Sequence, residues 1–338
     1  MNIWLPYIAA GTGADVSTVA LAQGLKERGH SVTSQAFSHA YELLPWLLRT
    51  VRPPPGCEVT ITNTWNGFAF RRPGVKMITV ERLFVLDPTL EPYKTRAQRI
   101  YHQNLIRRFV IASAKSADAV VAVSEYTADA FANRLGLPRP TVIINAVDTR
   151  FFSPDPNTLG ARPCPPYRLL YVGTLSRRKG ADLLAPIMRR LGSNFQLYYT
   201  GSPAAPVLGR DLPDNMHALG RLNLEQVRDE YRKADLLLFP SRAEGLARSI
   251  MEALACGTSV VSSNISSMPE AIDDTVGRLC PTDDTTSFVN AVLSLFENPL
   301  SAPGRRKSAR ERAEERFSLD RMLSNWDTLL RKIIRNLA

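Results

Sequence analysis

Two glutamates, Glu244 and Glu252, frame a short segment in the second half of the chain. The segment follows an apolar run, Leu236–Phe239, that we predict to be a buried strand. Gly245 comes directly after the first glutamate, and the following residues read as the start of a helix. A helix rises roughly 12 Å over eight residues. The spacing therefore places one carboxylate beside an anion-attracting helix N-terminus and the second about two turns along, a separation that suits the sugar and the ribose of a nucleotide sugar.

A basic loop follows an earlier predicted strand at 169–172. This loop, 173–180, contains Arg177, Arg178 and Lys179. A glycine at the end of a strand lets a ligand approach the backbone closely, and these cations can neutralise a diphosphate. An ordinary basic loop is the alternative interpretation, but the glutamate pair after a later strand favours phosphate binding.

A glycine pair, Gly11 and Gly13, lies between the first predicted strand and the first predicted helix. Backbone amides at a helix start favour phosphate, although a tight turn explains the same pair. A dinucleotide-binding fingerprint would need a third glycine where Val16 stands. The pattern therefore disfavours a nicotinamide-dependent dehydrogenase.

The composition is that of an ordinary soluble globular protein. At 338 residues, two domains are expected, and 44% hydrophobic with 22% charged residues is usual for globular proteins. No apolar run reaches about 18 residues, and no basic region precedes the apolar start, so we expect neither a membrane span nor a signal peptide. The four scattered cysteines form no CxxC pair and no Asp-x-Asp motif occurs, so we expect reduced thiols in the cytoplasm and no metal site.

The net charge of +10 favours an anionic partner such as a membrane surface, a phosphorylated lipid or nucleic acid. Residues 1–150 carry 17 Lys and Arg against 11 Asp and Glu. The predicted helix 95–116 is basic with interleaved apolar residues, so it could rest on anionic lipid or simply pack its apolar side on a sheet. The arginines are spread along the chain, which disfavours a nucleic-acid binder.

Apolar runs alternate with amphipathic segments throughout, which predicts α/β architecture with parallel sheets. The predicted strands are 2–8, 31–37, 58–62, 75–80, 119–123, 141–144, 169–172, 196–200, 217–219, 236–239, 259–262 and 278–280. The predicted helices are 14–28, 95–116, 125–135, 181–191, 224–233, 246–255, 285–297 and a basic tail helix over 305–337. A proline-rich stretch within 148–166 reads as an interdomain linker.

Taken together, these features resemble the retaining glycosyltransferases of family 4. The resemblance rests on Val172-Gly-Thr-Leu with Lys179-Gly180, and on Pro240-Ser-Arg-Ala-Glu244-Gly245 with Glu252. It implies the GT-B fold: α/β, with two Rossmann-like, doubly wound domains facing a cleft. The implied domains are an acceptor-side domain over 1–150, a nucleotide-sugar-binding domain over 151–320, and a helix over 321–338 that crosses back to the first domain.

The resemblance also implies roles for matched positions. Glu252 would hold the donor ribose, Glu244 would contact the transferred sugar, and Lys179 would hold the diphosphate. The implied donor-binding residues are Gly13, Gly173, Thr174, Arg178, Lys179, Gly245, Leu246, Ala247, Arg248 and Glu252. The candidate catalytic residues are Glu244, Lys179 and Glu81, and the candidate acceptor-binding residues are Trp65, Asn66 and Arg82.

Three positions depart from the family pattern. Glu81 stands where the family often has a histidine near the reacting sugar, and it would either act on the acceptor hydroxyl or pair with an arginine such as Arg82. Thr174 replaces an arginine, which leaves Arg177 or Arg178 to substitute. Ala247 replaces a glycine of the glutamate loop. Trp65 has two interpretations, a platform for a sugar face or a core residue.

The resemblance implies a retaining hexosyltransferase that needs no metal or cofactor besides its nucleotide-sugar donor. UDP is the commonest nucleotide of such donors, and GDP is the alternative. The expected acceptor is a saccharide or a lipid-linked saccharide in cell-envelope polysaccharide or glycolipid synthesis. The expected place is the cytoplasm, with peripheral contact to the inner face of the cytoplasmic membrane. The alternative is a catalytically weak GT-B protein that binds a nucleotide sugar or a membrane as a partner module, which the Glu81 departure suggests.

Overall fold

The computed structural model describes residues 1–11, 13–156 and 163–335. The chain divides into two compact units, one made of Met1–Asn145 with Leu319–Ala338 and the other of Ala146–Ser318. Part of the linker predicted within 148–166 lies outside the described residues, as do Thr12 and the end of the predicted tail helix.

The first unit contains a six-stranded sheet in the order β2-β1-β3-β4-β5-β6, with every neighbouring pair parallel. Its strands are β1 (Asn2–Ile8), β2 (Ser31–Phe37), β3 (Val59–Asn63), β4 (Lys76–Glu81), β5 (Ala119–Ala122) and β6 (Thr141–Val142). The first helices of this unit are α1 (Gly13–Glu27), α2 (Arg96–Tyr101), α3 (Arg107–Ser116) and α4 (Glu125–Leu135).

The helix predicted over 95–116 is interrupted. It begins with a capping box in which Thr95 and Gln98 exchange hydrogen bonds, and a π-helical turn over His102–Ile106 then separates α2 from α3. A π turn inserts one extra residue and so rotates the helix that follows. Phe109 and Val110, which come after the turn, are buried.

The second unit has a sheet of the same kind, in the order β12-β11-β10-β7-β8-β9, again with parallel neighbours. Its strands are β7 (Tyr167–Tyr171), β8 (Phe195–Thr200), β9 (Met216–Gly220), β10 (Leu236–Phe239), β11 (Ser259–Ser263) and β12 (Gly277–Cys280). Its helices are α5 (Leu184–Leu191), α6 (Leu224–Lys233), α7 (Arg248–Ala255), α8 (Met268–Ala271), α9 (Thr285–Phe296) and α10 (Ala302–Phe317). The predicted α/β architecture with parallel sheets is confirmed.

The strand order of the second sheet reverses at β7. The chain runs outward from β7 through β8 and β9, and then returns to place β10 on the other side of β7. In open parallel sheets, ligands bind beyond the carboxyl ends of the strands at such a switch point. The loops after β7 and β10 are the basic loop and the glutamate loop, so the topology brings the two predicted motifs to one place.

The tail is two helices, whereas the sequence predicted one. Ser318 has an extended backbone and forms a bridge with Val147, whose N–H donates to the carbonyl of Phe317. This pairing ends α10 and starts α11 (Leu319–Arg335), which packs on α1, with Leu323 against Gly24. Within the described residues, we find no helix with the length and apolar character that a bilayer crossing requires.

Candidate functional site

The basic loop and the glutamate loop are joined by an ion pair. The ammonium nitrogen of Lys179 lies 2.5 Å from Oε1 of Glu244, and the Nη1 of Arg178 lies 3.6 Å from the same oxygen. The hydroxyl of Ser241 also donates to this oxygen, at 2.7 Å. Three of the residues that the sequence singled out, Arg178, Lys179 and Glu244, therefore lie together.

The carboxylate of Glu244 has a lowered pKa, and only one of its oxygens is bonded by the described residues. Burial raises the pKa of Glu244, but Lys179, Arg178 and the Ser241 hydroxyl together lower it by more, so the pKa lies below its ordinary value. The hydrogen bonds to this carboxylate from the described residues end on Oε1. Oε2 is thus the atom that can accept a hydrogen bond from a ligand.

Gly180 lets the basic loop pass close to the glutamate loop. Its φ is +70°, and a Cβ at this position would lie 1.9 Å from the carbonyl oxygen of Pro240. Any residue with a side chain would push the two loops apart. The close approach is what puts Lys179 within reach of Glu244.

Arg242, which the sequence analysis did not single out, ties the two loops together. Its side chain is buried and makes two hydrogen bonds to Asp182, at 2.6 and 2.9 Å, and one to Asp283, at 2.6 Å. The guanidinium also donates to the carbonyl of Arg177 in the basic loop. The residue was missed because an arginine in a loop reads as solvated; its place between Ser241 and Glu244 was the available signal.

Glu252 lies in a second cluster on α7. Arg248, one turn earlier, donates to its Oε1 at 3.0 Å, and the buried Tyr231 hydroxyl on α6 donates to its Oε2 at 3.2 Å. Burial raises the pKa of Glu252, and the opposing effect of Arg248 is smaller. A carboxylate has about four lone-pair sites, so these two partners leave room for ligand hydroxyls.

The remaining donor-side candidates surround the start of α7. Ala247 is its N-cap residue and makes no side-chain cap, and the hydroxyl of Ser249 donates to the carbonyl of Val172 at 2.9 Å. The first turn of α7 is therefore fixed beside the end of β7. The N–H of Gly173 is used within the protein, since it donates to Thr200 at 3.0 Å. Among the other donor-binding candidates, Gly245 and Leu246 are buried and Thr174 is exposed.

In the first unit, Glu81 is the last residue of β4 and is buried. The hydroxyl of Thr64 donates to its Oε2 at 2.7 Å, and the backbone amides of Arg82 and Leu83 also bond to its carboxyl group. Burial raises the pKa of Glu81 to about 7, and these hydrogen bonds offset only part of that effect. Among the described residues the carboxylate has no cationic partner, so the pairing with Arg82 that the sequence left open is not formed.

The acceptor-side candidates lie in different surroundings. Asn66 is buried and its Oδ1 has no hydrogen-bond partner in the part of the chain that the structure describes, whereas Nη2 of Arg82 donates to Thr18 at 3.2 Å. Trp65 is half-buried and packs edge-on against His102, with 5.8 Å between ring centroids. The half-burial fits neither sequence interpretation of Trp65 alone, because the side chain packs against a core cluster while part of it stays accessible.

The glycine loop after β1 uses its amides internally. Oδ2 of Asp15 accepts hydrogen bonds from the N–H groups of Ala10, at 2.9 Å, and Gly11, at 2.6 Å. Gly13 begins α1 and is exposed. The Asp15 carboxylate thus occupies the position that an anionic ligand would take on those two amides. Within the described ranges, no three His, Cys, Asp or Glu side chains are grouped closely enough to hold a metal ion.

Both halves of the chain match known glycosyltransferase families. Residues 166–298 match the family described as Glycosyl transferases group 1, and residues 59–151 match the family described as Glycosyltransferase Family 4. The two segments together cover more than half of the chain.

Curated relatives are of the same kind. The chain is 27% identical over 252 residues to the alpha-maltose-1-phosphate synthase of Mycolicibacterium smegmatis, covering 65% of this chain and 64% of the relative. It is 30% identical over 207 residues to a glycogen synthase of Mycobacterium tuberculosis, covering 57% and 47%. The chain thus spans less than two thirds of the length of these relatives.

Solved structures share the whole fold. The sucrose-phosphate synthase of Thermosynechococcus elongatus matches with a TM-score of 0.83 at 18% identity, covering 99% of this chain and 100% of that one. HepE of Anabaena, solved with UDP and glucose, matches with a TM-score of 0.74 at 16% identity, covering 98% and 99%. The predicted GT-B fold is thereby confirmed, and the comparisons do not favour the non-catalytic module.

Proposed function

Because the chain belongs to the glycosyltransferases of group 1 and family 4, we propose that it is a retaining hexosyltransferase. Its donor is a UDP-linked sugar, and its acceptor is a saccharide or a lipid-linked saccharide in cell-envelope polysaccharide or glycolipid synthesis. The contact of Lys179 with Glu244, at the switch point of the second sheet, is the observation that carries this proposal. UDP as the nucleotide is supported by HepE, which shares the fold and was solved with UDP and glucose.

Most of the proposed donor contacts come from the second unit. Lys179 and Arg178 neutralise the diphosphate together with the uncapped first turn of α7, where the helix dipole favours anions. Glu252 accepts hydrogen bonds from the ribose hydroxyls, and Oε2 of Glu244 accepts one from a hydroxyl of the transferred sugar. Gly13 and Gly173 with Thr174, and the backbone from Gly245 to Arg248, complete the proposed donor contacts.

The reaction breaks the bond between the anomeric carbon and the diphosphate oxygen. The acceptor oxygen forms a new bond to that carbon on the same face, and the acceptor proton passes to a phosphate oxygen of the leaving diphosphate. Negative charge grows on the diphosphate as the bond breaks, so a fixed cation beside it lowers the barrier. Glu244 keeps the Lys179 ammonium in place before the donor arrives, so little reorganisation is needed during the reaction.

The first unit supplies the acceptor side of the proposal. Glu81, whose pKa is about 7, accepts a hydrogen bond from the acceptor hydroxyl when it is ionised. Trp65, Asn66 and Arg82 position the acceptor. Oδ1 of Asn66 supports this role, because a buried amide oxygen normally has a partner and this one has none among the described residues. The proposed place of work is the cytoplasmic face of the membrane, where a lipid-linked acceptor is presented.

A donor screen tests the proposal. Purified full-length chain is incubated with UDP-glucose, UDP-galactose, UDP-N-acetylglucosamine or GDP-mannose and a panel of saccharide acceptors, and release of the nucleoside diphosphate is measured. We expect release from at least one UDP-sugar, with a product of the same anomeric configuration as the donor by NMR. Turnover with inversion would contradict the retaining mechanism, turnover with GDP-mannose alone would contradict UDP, and binding without turnover would favour the partner module.

A further inference from the structure

A short segment between β2 and β3 exposes four large apolar side chains. Leu43 is 58% exposed, Leu44 44%, Trp46 44% and Leu47 51%. Elsewhere in the described residues, exposed side chains of this size stand singly or in pairs. Scattered exposed apolar residues are normal, whereas four within five positions mark an interaction surface. We call residues 43–47 the apolar tip.

The apolar tip is held firmly by the rest of the first unit. It lies at the junction of two short 3₁₀ helices, His39–Glu42 and Pro45–Thr50. Pro45 within the tip is buried, and so is Leu48 directly after it. The guanidinium of Arg72 donates to the carbonyl of Leu48 at 3.0 Å, which fixes the end of the segment.

The sequence of the tip places apolar residues at exposed positions. A solvated 3₁₀ helix normally carries apolar residues on its buried side and polar residues outside. Here leucine and tryptophan also face outward, at positions 43, 44, 46 and 47, and the polar residues Arg49 and Thr50 follow them. The segment therefore presents apolar side chains that core packing does not need.

The apolar tip lies against the basic helices of the same unit. The ring of Trp46 meets Phe109 of α3 with 6.5 Å between centroids, and the hydroxyl of Tyr101 on α2 donates to Glu42 at 3.4 Å. Residues 94–116 carry six Lys and Arg and no carboxylate. The exposed cations on and beside the tip are Arg49, Arg52, Arg96, Arg99, Arg107, Arg108 and Lys115.

We propose that the apolar tip and these flanking cations form a docking surface for an anionic lipid bilayer. The leucines and Trp46 would enter the boundary between headgroups and acyl chains, where tryptophan is favoured because its ring is apolar with one polar N–H. The surrounding cations would bind anionic headgroups, and charge complementarity is what favours lipid over a protein partner. The surface lies outside the residues proposed for transfer, so it can be tested without turnover.

Vesicle flotation of the purified full chain tests this proposal. Wild type is compared on phosphatidylcholine vesicles and on mixed phosphatidylcholine and phosphatidylglycerol vesicles, together with a Leu44→Ser, Trp46→Ser, Leu47→Ser variant. The matched control replaces the exposed Leu224, Leu293 and Leu300 of the second unit with serine. A third variant replaces Arg96, Arg99, Arg107 and Arg108 with glutamine. Circular dichroism checks that each variant is folded.

We expect wild type and the control to float with anionic vesicles only. The apolar-tip variant should bind at least about tenfold more weakly. The arginine variant should lose the part of the vesicle binding that depends on salt concentration. Vesicle binding should also shift the fluorescence of wild type but not of a Trp46→Phe variant. Equal flotation of the tip variant would overturn the proposal. The proposal would also be overturned if ultracentrifugation without vesicles showed that wild type is a dimer and that the tip substitutions convert it to a monomer. The tip would then be a protein interface.

Discussion

The Lys179 ammonium and the Glu244 carboxylate form a 2.5 Å ion pair that connects the loops after two neighbouring strands of the second sheet. The two residues are 65 positions apart in the chain and meet only because the sheet is doubly wound, with β10 beside β7. The pair balances the charge of the site before any ligand is present. A donor diphosphate would then meet an ammonium that is already oriented.

Replacing Lys179 with methionine should damage both activity and stability. Loss of a cation aimed at the leaving group typically costs about 10²-fold or more in rate. Glu244 would keep the Ser241 hydroxyl and, as its cationic partner among the described residues, Arg178 at 3.6 Å, so we expect the free energy of unfolding to fall by about 1–3 kcal/mol. Initial rates and urea unfolding measure the two effects, and Lys307→Met, on an exposed lysine, is the control.

A second substitution separates the two roles of Lys179. Adding Glu244→Gln to Lys179→Met removes the buried charge that has lost its partner, so stability should recover while transfer stays low. Recovery of both properties would show that the pair is structural and would argue against a role for Lys179 in catalysis.

Replacing Glu252 with glutamine should weaken nucleotide binding. The substitution keeps the shape of the side chain but loses a charged acceptor for the ribose hydroxyls, and we expect the affinity for UDP to fall about tenfold. Isothermal calorimetry measures this affinity. Tyr231→Phe, which removes only the hydroxyl that donates to Glu252, is the matched control and should have a smaller effect. An equal loss in both variants would mean that the hydrogen bond, rather than the carboxylate, carries the binding.

Glu81 should make stability depend on pH in the direction opposite to most carboxylates. Its pKa is about 7 in the folded chain against 4.5 for the ordinary group. Between these two values the folded state holds a proton that the unfolded state has released, so stability falls as the pH rises and levels off above about 7. A shift of this size corresponds to roughly 3 kcal/mol.

The Glu81→Gln variant should remove this dependence and be more stable than wild type at pH 8. If Glu81 also accepts the hydrogen bond of the acceptor hydroxyl, the rise of kcat/KM through pH 7 should disappear in the same variant. Thermal unfolding from pH 5 to pH 9 measures the stability, and initial rates over the same range measure kcat/KM. A wild-type stability that is flat or rising across pH 5–7 would show that the carboxyl is not buried in its neutral form.

Two glycines with the same left-handed backbone test the close approach of the loops. A Cβ added at Gly136 would lie more than 4 Å from every described residue that is not its neighbour in the chain or helix, so Gly136→Ala should cost only the backbone strain of about 1–2 kcal/mol. An alanine at Gly180 would also collide with the carbonyl of Pro240, which should add about 1–3 kcal/mol. Transfer should fall in Gly180→Ala alone. Equal behaviour of the two variants in unfolding and rate assays would mean that the approach is not needed.

Much of the fold could be predicted because its elements have strong local patterns. The strands Asn2–Ile8, Ser31–Phe37 and Leu236–Phe239 have the predicted bounds, and so do the helices Glu125–Leu135 and Leu224–Lys233. Buried parallel strands read as apolar runs, and caps such as Ser124 and Asn223 mark where helices begin. Breaks that depend on tertiary contacts were not predictable, since Ser318 ends a helix only because it pairs with Val147.

The site was predicted as a set of residues but not as a set of contacts. Glu244, Lys179 and Glu252 were each assigned to a ligand, whereas the structure pairs each of them with a neighbouring side chain. Arg242 was missed because its aspartate partners, Asp182 and Asp283, lie far from it in sequence. Spacing along the chain shows which groups can reach one edge of a sheet, but it does not show which of them will bond to one another.

A crystal structure of the full chain with UDP tests the central claim most directly. We expect a diphosphate oxygen within hydrogen-bond distance of Nζ of Lys179, the ribose hydroxyls on Glu252 and the phosphates at the start of α7. UDP bound elsewhere, with the Lys179 to Glu244 pair and Glu252 untouched by the nucleotide, would contradict it.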